Sequence, residues 1–214
     1  MDPFSGSVGD HHLLPFKITW SNLRSNHRIY EAASARSGFF NSAIINIATN
    51  PLALEYKDLL DDHLKHKPER EKYVRKVKKK RPKNLDQVFH EAHENAFEKI
   101  DCLQCANCCK TTSPIFRDVD VQRISKKLKM SSQDFENTYL QKDDDGDWVL
   151  QSAPCTFLQP DNTCFIYDIR PQACREYPHT DRKRMIQIID LTLKNAEICP
   201  AVSKILGNVM IDLP

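Results

Sequence analysis

The chain has 214 residues, which is enough for one domain of ordinary size plus an extension. With 40% hydrophobic residues, 28% charged residues and a net charge of +2, its composition gives no overall attraction to nucleic acid or to anionic membranes. The five glycines are not spaced as a phosphate-binding loop or a dinucleotide fingerprint requires. The longest mainly apolar segment, residues 38–48, is too short to span a bilayer, so we predict a cytoplasmic protein that does not enter a membrane.

Residues 1–50 show no sustained periodicity and are expected to form a poorly ordered leader. From Pro51 the apolar residues recur at helical spacing, and a second helix is predicted over residues 69–80. Residues 63–83 contain eleven Lys or Arg against two Glu. We therefore predict a basic helical arm over residues 51–83 that is solvated. The alternative is that residues 65–83 contact nucleic acid or another polyanion.

A third helix is predicted to begin at an Asn84 cap and to lead directly into the first cysteine. Its apolar stripe consists of Leu85, Val88, Phe89, Ala92, Ala96 and Ile100. On the same helix His90 and His93 have a spacing compatible with metal binding. The flanking Glu91 and Glu94 favour a surface position for both rings.

Further along the chain the pattern predicts short helices and a hairpin. Asp118 and either Ser131 or Ser132 are expected to cap two short helices. The Asp145-Gly146 turn predicts a hairpin with strands at 139–141 and 148–150, in preference to a calcium loop. Two more strands are predicted at 164–167 and 185–193, and a last helix at about 196–209. The fold class is thus α+β and predominantly helical, with residues 84–210 forming a small cysteine-rich metal-binding domain after the arm.

Eight cysteines occur within 98 residues, and none precedes them. They are Cys102, Cys105, Cys108, Cys109, Cys155, Cys164, Cys174 and Cys199. In a reducing compartment so many thiols favour metal binding over the four disulfides that an even count would also allow. All eight are therefore candidate metal ligands.

The first three cysteines follow a CxxCxxC pattern, in which tight turns aim several thiolates at one point. The triple is similar to the first three ligands of a bacterial ferredoxin-type 4Fe-4S cluster, whose remote fourth cysteine precedes proline as Cys199 precedes Pro200. Cys109 adjoins Cys108, and neighbouring residues seldom bind the same ion without strain. Two four-thiolate sites, one cluster with a remaining thiol pair, a structural zinc site and a metal-free redox site all remain open.

Beyond these spacings, the chain resembles the YkgJ-like family, which carries a zinc- or iron-chelating domain known by the string CxxCxxCC. The resemblance extends over residues 84–205. It rests on the initial run at 102–109, on 154–158, on 164–167, on the Arg-Pro-x-x-Cys-Arg-x-Tyr-Pro segment at 170–178, and on Cys199-Pro200. It implies binding of zinc, iron or an iron–sulfur cluster more firmly than it implies any reaction. Flagellin lysine N-methylases of the FliB type carry a related cysteine motif.

The favoured interpretation is a metal-binding protein that holds zinc or iron for structure, storage or sensing. The first alternative is an iron–sulfur enzyme or electron carrier, oxidoreductase or methylase-like. In that case Tyr167, Asp168, Arg170, Arg175 and Tyr177 are the polar groups expected to line the site, although the same residues could support the metal from outside its ligand shell. The second alternative is a metal-stabilised nucleic-acid or ribosome adaptor that uses the basic arm.

Overall fold

The protein is described by a computed structural model that covers residues 51–214. The predicted leader, residues 1–50, lies outside the described residues. Helices dominate, and the described sheet is a two-stranded antiparallel hairpin, which confirms the predicted α+β, mainly helical class. Over residues 51–214, no helix combines the length and apolar character needed to cross a bilayer.

The described chain runs through ten α-helices and two strands. The helices are α1 (Pro51–Lys65), α2 (Lys67–Lys80), α3 (Leu85–Phe97), α4 (Cys102–Cys105), α5 (Asn107–Thr111), α6 (Asp118–Lys127), α7 (Ser132–Tyr139), α8 (Gln172–Glu176), α9 (Ile189–Asn195) and α10 (Pro200–Asp212). The strands are β1 (Leu140–Lys142) and β2 (Trp148–Leu150), and 3-10 turns lie at Tyr167–Ile169 and Met185–Gln187. The second and third helices begin and end close to where apolar spacing predicted them.

Helix α10 joins two hydrophobic clusters. On one side Ile205 and Val209 pack with Phe89 of α3 and with apolar residues of α2. On another side Val202 and Leu206 belong to a cluster that includes Tyr56 of α1, Ile100 and Cys199. Burial of these faces removes apolar surface from water, which is the main force holding α1, α2 and α3 against α10.

A third cluster lies beneath the hairpin. Phe135 of α7 is fully buried, with its ring stacked on Phe157 at a centroid distance of 6.2 Å. Phe116 and Tyr139 pack against Phe135 from other directions. Cys155 and Cys164 lie at the edge of the same cluster. The hairpin and helices α6 and α7 therefore share a core with the chain around these two cysteines.

The basic arm presents one face to the core. Its apolar residues Tyr73, Val74 and Val77 are buried in the cluster with α3 and α10. Lys67 pairs with Glu197 at 3.0 Å, and Lys78 pairs with Asp190 at 2.6 Å. The domain boundary at residue 83 and any contact with a polyanion stay predictions.

The predicted hairpin is confirmed. Leu140 pairs with Leu150 and Lys142 with Trp148. Gly146 has φ +83°, which a turn tolerates best with glycine, and the Asp143 carboxylate accepts hydrogen bonds from the backbone of residues 145 and 147. The sequence here forms a tight turn, as expected.

Two other strand predictions are wrong. Residues 164–167 contribute a single bridge, between Leu158 and Cys164, before turning into a 3-10 helix. Residues 185–193 form a 3-10 turn followed by α9. The isoleucines there suggested a strand, but the Asp86 carboxylate accepts the backbone N–H groups of Arg184 and Met185 and so starts a helical turn.

The helix boundaries also differ in detail from the predictions. Ser131 caps α7 through the N–H of Asp134, as predicted. Asn84 precedes α3, but its side chain makes no capping hydrogen bond. Asp118 is the first residue of α6 and not its cap, and the last helix begins at Pro200, because proline fits the first helical position.

Candidate metal centre

The CxxCxxCC run folds into two one-turn helices with a reversal between them. Asp101 caps α4 by accepting the Leu103 N–H at 2.8 Å. Ala106 then adopts a left-handed conformation with φ +47°, and its N–H bonds to the Cys102 carbonyl oxygen at 2.8 Å. Asn107 opens α5 and donates to the carbonyl oxygen of Ile198 at 2.7 Å. This last bond holds the segment before Cys199 against the run.

Cys108 and Cys109 lie at the junction of the cysteine groups. Their sulfur atoms are 4.0 Å apart, so one thiol hydrogen-bonds to the other. That bond lowers the pKa of Cys109 to about 7, assisted by Lys110, and raises the pKa of Cys108 well above its ordinary value. The hydrogen bond therefore couples the two thiols, so that the thiol of one stabilises the thiolate of the other.

Four cysteines, which we call the first set, lie on the α1 and α10 side of this junction. They are Cys102, Cys105, Cys108 and Cys199. Cys199 is buried and packs in the cluster that Cys105 and Tyr177 border. Burial raises the pKa of the Cys199 thiol to about 12, and the nearby Cys102 and Cys105 thiolates act in the same direction. Hydrogen bonding from the backbone of α10 opposes this increase.

The other four cysteines, the second set, lie on the hairpin side. They are Cys109, Cys155, Cys164 and Cys174. The Cys155 N–H donates to the Cys109 carbonyl oxygen at 2.8 Å. Burial raises the pKa of Cys174, and after burial the largest causes are the thiolates of Cys109, Cys155 and Cys164. These three sulfurs are thus its near neighbours.

Backbone N–H groups point at several of the sulfurs. The N–H groups of Phe157 and Leu158 donate to Cys155, and that of Ile166 donates to Cys164. In the first set Cys105 accepts from Asn107, and Cys199 accepts from Ala201 and Val202. Such bonds stabilise the thiolate form, which is the form that binds metal.

The predicted supporting residues are distributed unevenly. Tyr177 is close to the first set, where its hydroxyl hydrogen-bonds with Cys199, and burial raises its pKa. Arg170 lies beside Cys164 and Cys174, where it favours their ionised forms, and stacks 3.8 Å from the centroid of the Tyr167 ring. Tyr167 itself is 49% exposed. Arg175 lines a cleft whose wall includes Cys102, and Asp168 lies in the 3-10 turn at 167–169.

The sulfur spacing tests which metal species fits. Within residues 51–214, no three cysteine sulfurs all lie within 4.8 Å of one another. A single tetrahedral zinc, with Zn–S of about 2.3 Å, would bring its sulfurs to about 3.8 Å from one another. In a multi-iron cluster the thiolates bind different irons, and the ligands are spread more widely. The donor set therefore fits thiolate-bound metal, either zinc or a multi-iron cluster.

Beside the first set lies a cleft of about 590 Å³. Its lining includes Cys102, Arg175 and Tyr177, together with His93 of α3 and residues 178–183. Sequence reasoning did not identify this cleft, because its wall combines segments about 80 residues apart. A small molecule in the cleft would be adjacent to Cys102.

Free cysteines converging from four stretches of a mainly helical chain define a cysteine-cluster domain. Residues 101–200 match the CxxCxxCC family, described as "Putative zinc- or iron-chelating domain". This match confirms the resemblance seen in the sequence. Comparison with curated proteins and with solved structures gives no match.

Proposed function

We propose that residues 101–200 bind zinc or iron through all eight cysteines, arranged as two sets of four. The observation that carries the proposal is the arrangement around Cys108 and Cys109. Cys108 is near Cys102 and Cys199, whereas Cys109 is near Cys155, Cys164 and Cys174 and also within reach of Cys102 and Cys105. Adjacent residues that belong to different sets avoid the strain of binding one ion together.

The surroundings of each set supply partners for thiolate charge. Four thiolates around a divalent ion leave a net charge of about −2, which needs nearby donors or cations. Arg170 serves the second set, Tyr177 serves the first, and the positive charge of Lys110 favours the ionised forms of both Cys105 and Cys109. Free thiols also suit the cytoplasmic location that we propose, since a reducing compartment keeps them available.

We favour an iron–sulfur cluster, 4Fe-4S in type, as the metal species of the first set. The CxxCxxC pattern of the first set, completed by Cys199 before proline, supports the same species. The role that follows is to hold metal for structure, storage or sensing.

The cleft beside Cys102 supports a second candidate function, an iron–sulfur enzyme or electron carrier. Cys102 is the one exposed cysteine of the described chain, and it forms part of the wall of the cleft. A substrate or redox partner there would approach the first set directly. Tyr177 and Arg175 would then contact that molecule.

Anaerobic purification followed by metal and acid-labile sulfide analysis tests the metal. We expect iron with sulfide and broad visible absorbance. A colourless protein that contains only zinc would refute the cluster while leaving thiolate binding intact. A protein that contains neither metal would refute the proposal as a whole.

Serine variants test the division into sets. Cys105→Ser and Cys109→Ser should each lose about half of the bound metal, and the double variant nearly all of it, because each single change opens one set. Thr111→Ser, on α5 but outside both sets, should keep the full content. Unchanged metal in Cys109→Ser, with a loss in Cys105→Ser, would remove Cys109 from the ligands and refute the second set.

A further inference from the structure

A different group of potential ligands lies on α3, away from the thiols. His90 and Glu94 are four residues apart and share one face of the helix, and Asp181 reaches them from the loop that precedes the 3-10 turn at 185–187. One ligand atom from each of the three lies within 4.8 Å of the other two. Among the residues described, this is the single group of His, Cys, Asp and Glu side chains that meets this spacing.

The loop that carries Asp181 is fixed to α3 on both sides of that residue. Before it, the buried Thr180 hydroxyl lies 2.8 Å from Nδ1 of His93. After it, the Asp86 carboxylate accepts the N–H of Arg184 at 2.7 Å. Asp181 is therefore held beside the helix by contacts that do not involve a metal, so the group is preorganised.

The types of donor atom determine which metal ions this group can bind. One imidazole nitrogen and two carboxylate oxygens bind divalent transition metals such as Mn²⁺, Fe²⁺ and Zn²⁺, and they lack the thiolates that favour a cluster. The hydrogen bond to Asp181 holds the pKa of His90 above its ordinary value, so an ion that binds here displaces the imidazole proton. The neutral imidazole and the two carboxylates then carry a charge of −2, which balances a divalent cation. Arg182 and Lys183 follow Asp181 and line the cleft, and their positive charge reduces this attraction.

We propose that His90, Glu94 and Asp181 form a separate binding site for one divalent cation. Nδ1 of His90 and Oδ1 of Asp181, now 2.8 Å apart, would separate slightly to admit the ion. Three protein ligands leave coordination positions open, which is typical of sites that exchange or act on a bound molecule. Asp181 also lines the cleft that contains Cys102, so an ion here lies at the cleft margin. The site does not depend on the cysteines.

The test uses the full chain with its thiolate-bound metal in place. Isothermal titration with Mn²⁺, which thiolates bind poorly, and separately with Zn²⁺ should detect one additional ion per chain. His90→Ala and Asp181→Asn should each weaken this binding by at least about tenfold. The three side chains are exposed, so we expect both variants to fold, which circular dichroism checks.

Glu91→Gln provides the matched control. Glu91 lies on the same helix beside His90 but hydrogen-bonds to Gln87, and its loss should leave the additional ion bound as in the wild type. Uptake that is equal in wild type, His90→Ala and Asp181→Asn, or absent for both metals in the wild type, would overturn the proposal. Iron, zinc and sulfide measured in the same samples report the cysteine sets independently.

Discussion

Stability should fall as the pH is lowered, because a buried histidine must remain neutral. His63 of α1 is 0% exposed, and its ring contacts Arg70 of α2. Arg70 donates through Nη1 to His63 Nδ1 at 2.8 Å and to Ser203 Oγ at 3.0 Å, while its Nη2 pairs with Asp62 at 2.7 Å. The guanidinium donor places the ring proton on Nε2, which is buried with no hydrogen-bond partner among the residues described.

The magnitude follows from the shift in pKa. Burial, and then the charge of Arg70, lower the pKa of His63 from 6.5 to about 4. The unfolded chain takes up a proton below pH 6.5, whereas the folded chain does not until about pH 4, so the stability present above pH 6.5 is lost as the pH falls through this window. Between pH 8 and pH 5 the loss is about 2 kcal/mol.

Equilibrium urea unfolding at pH 8, 6.5 and 5 measures this loss. Acid also protonates thiolates and carboxylates, so the informative quantity is the difference between wild type and His63→Gln. Glutamine keeps an acceptor for Arg70 but does not titrate. The variant should therefore lose about 2 kcal/mol less than the wild type between pH 8 and pH 5.

His66→Gln is the matched control, since this ring lies one turn further along the chain and is partly exposed. Its pH dependence should follow that of the wild type. Equal losses of stability in wild type and His63→Gln would refute the reasoning, because they would mean that His63 titrates alike in the folded and unfolded chains.

Three further substitutions examine single contacts. Tyr177→Phe removes the hydroxyl that hydrogen-bonds with Cys199, so a chelator should extract metal about tenfold faster, with little change in the thermal midpoint. An unchanged extraction rate would show that the Tyr177 hydroxyl does not support the metal. Asp120→Ala removes a fully buried carboxylate that accepts hydrogen bonds from Arg123 and from the backbone N–H groups of residues 117 and 172. It should lower the free energy of unfolding, measured in urea, by about 3 kcal/mol. A loss below about 1 kcal/mol would show that these donors bind water instead. Gly146→Ala introduces a side chain at φ +83° with no atom within 4 Å of the new carbon, so about 1 kcal/mol should be lost through backbone strain alone, and no loss would mean that the turn relaxes.

Helices with a clear apolar stripe could be predicted because the information is local. The residues that α3 buries, such as Phe89, recur at the helical period, and this helix begins and ends close to its predicted bounds. The Asp145-Gly146 turn likewise fixed the hairpin, since its backbone requirement is met within a few residues.

Residues 185–193 could not be predicted in the same way. Their isoleucines suit a strand or a helix, and the choice depends on Asp86, which is 98 residues before Arg184. Once its carboxylate has fixed the turn at 184–185, Met185 and Ile189 lie one helical turn apart and are both fully buried against α3. A contact across that separation leaves no trace in the local pattern.

The composition of the cysteine sets is a tertiary property of the same kind. Sequence spacing grouped Cys102, Cys105 and Cys108, linked Cys199 to them through the proline that follows it, and indicated a different role for Cys109. It could not assign Cys155, Cys164 and Cys174, and it offered no independent check on Cys199. Their assignment follows the hydrophobic clusters, because Cys199 enters the cluster of α1 and α10, whereas Cys155 and Cys164 border the cluster beneath the hairpin.

The second set lies where regular structure is sparse. Between β2 and α8, residues 151–171 contain a single 3-10 turn, and a connection of that length in a compact domain needs something to fix it. Packing supplies two anchors, Phe157 and Ile166, each two residues after a cysteine whose thiolate lies near Cys174. Metal in the second set would tie this loop to both the CxxCxxCC run and α8. Retention of metal there and ordering of the loop are therefore expected to be one equilibrium, as in other small domains whose ligands converge only on folding.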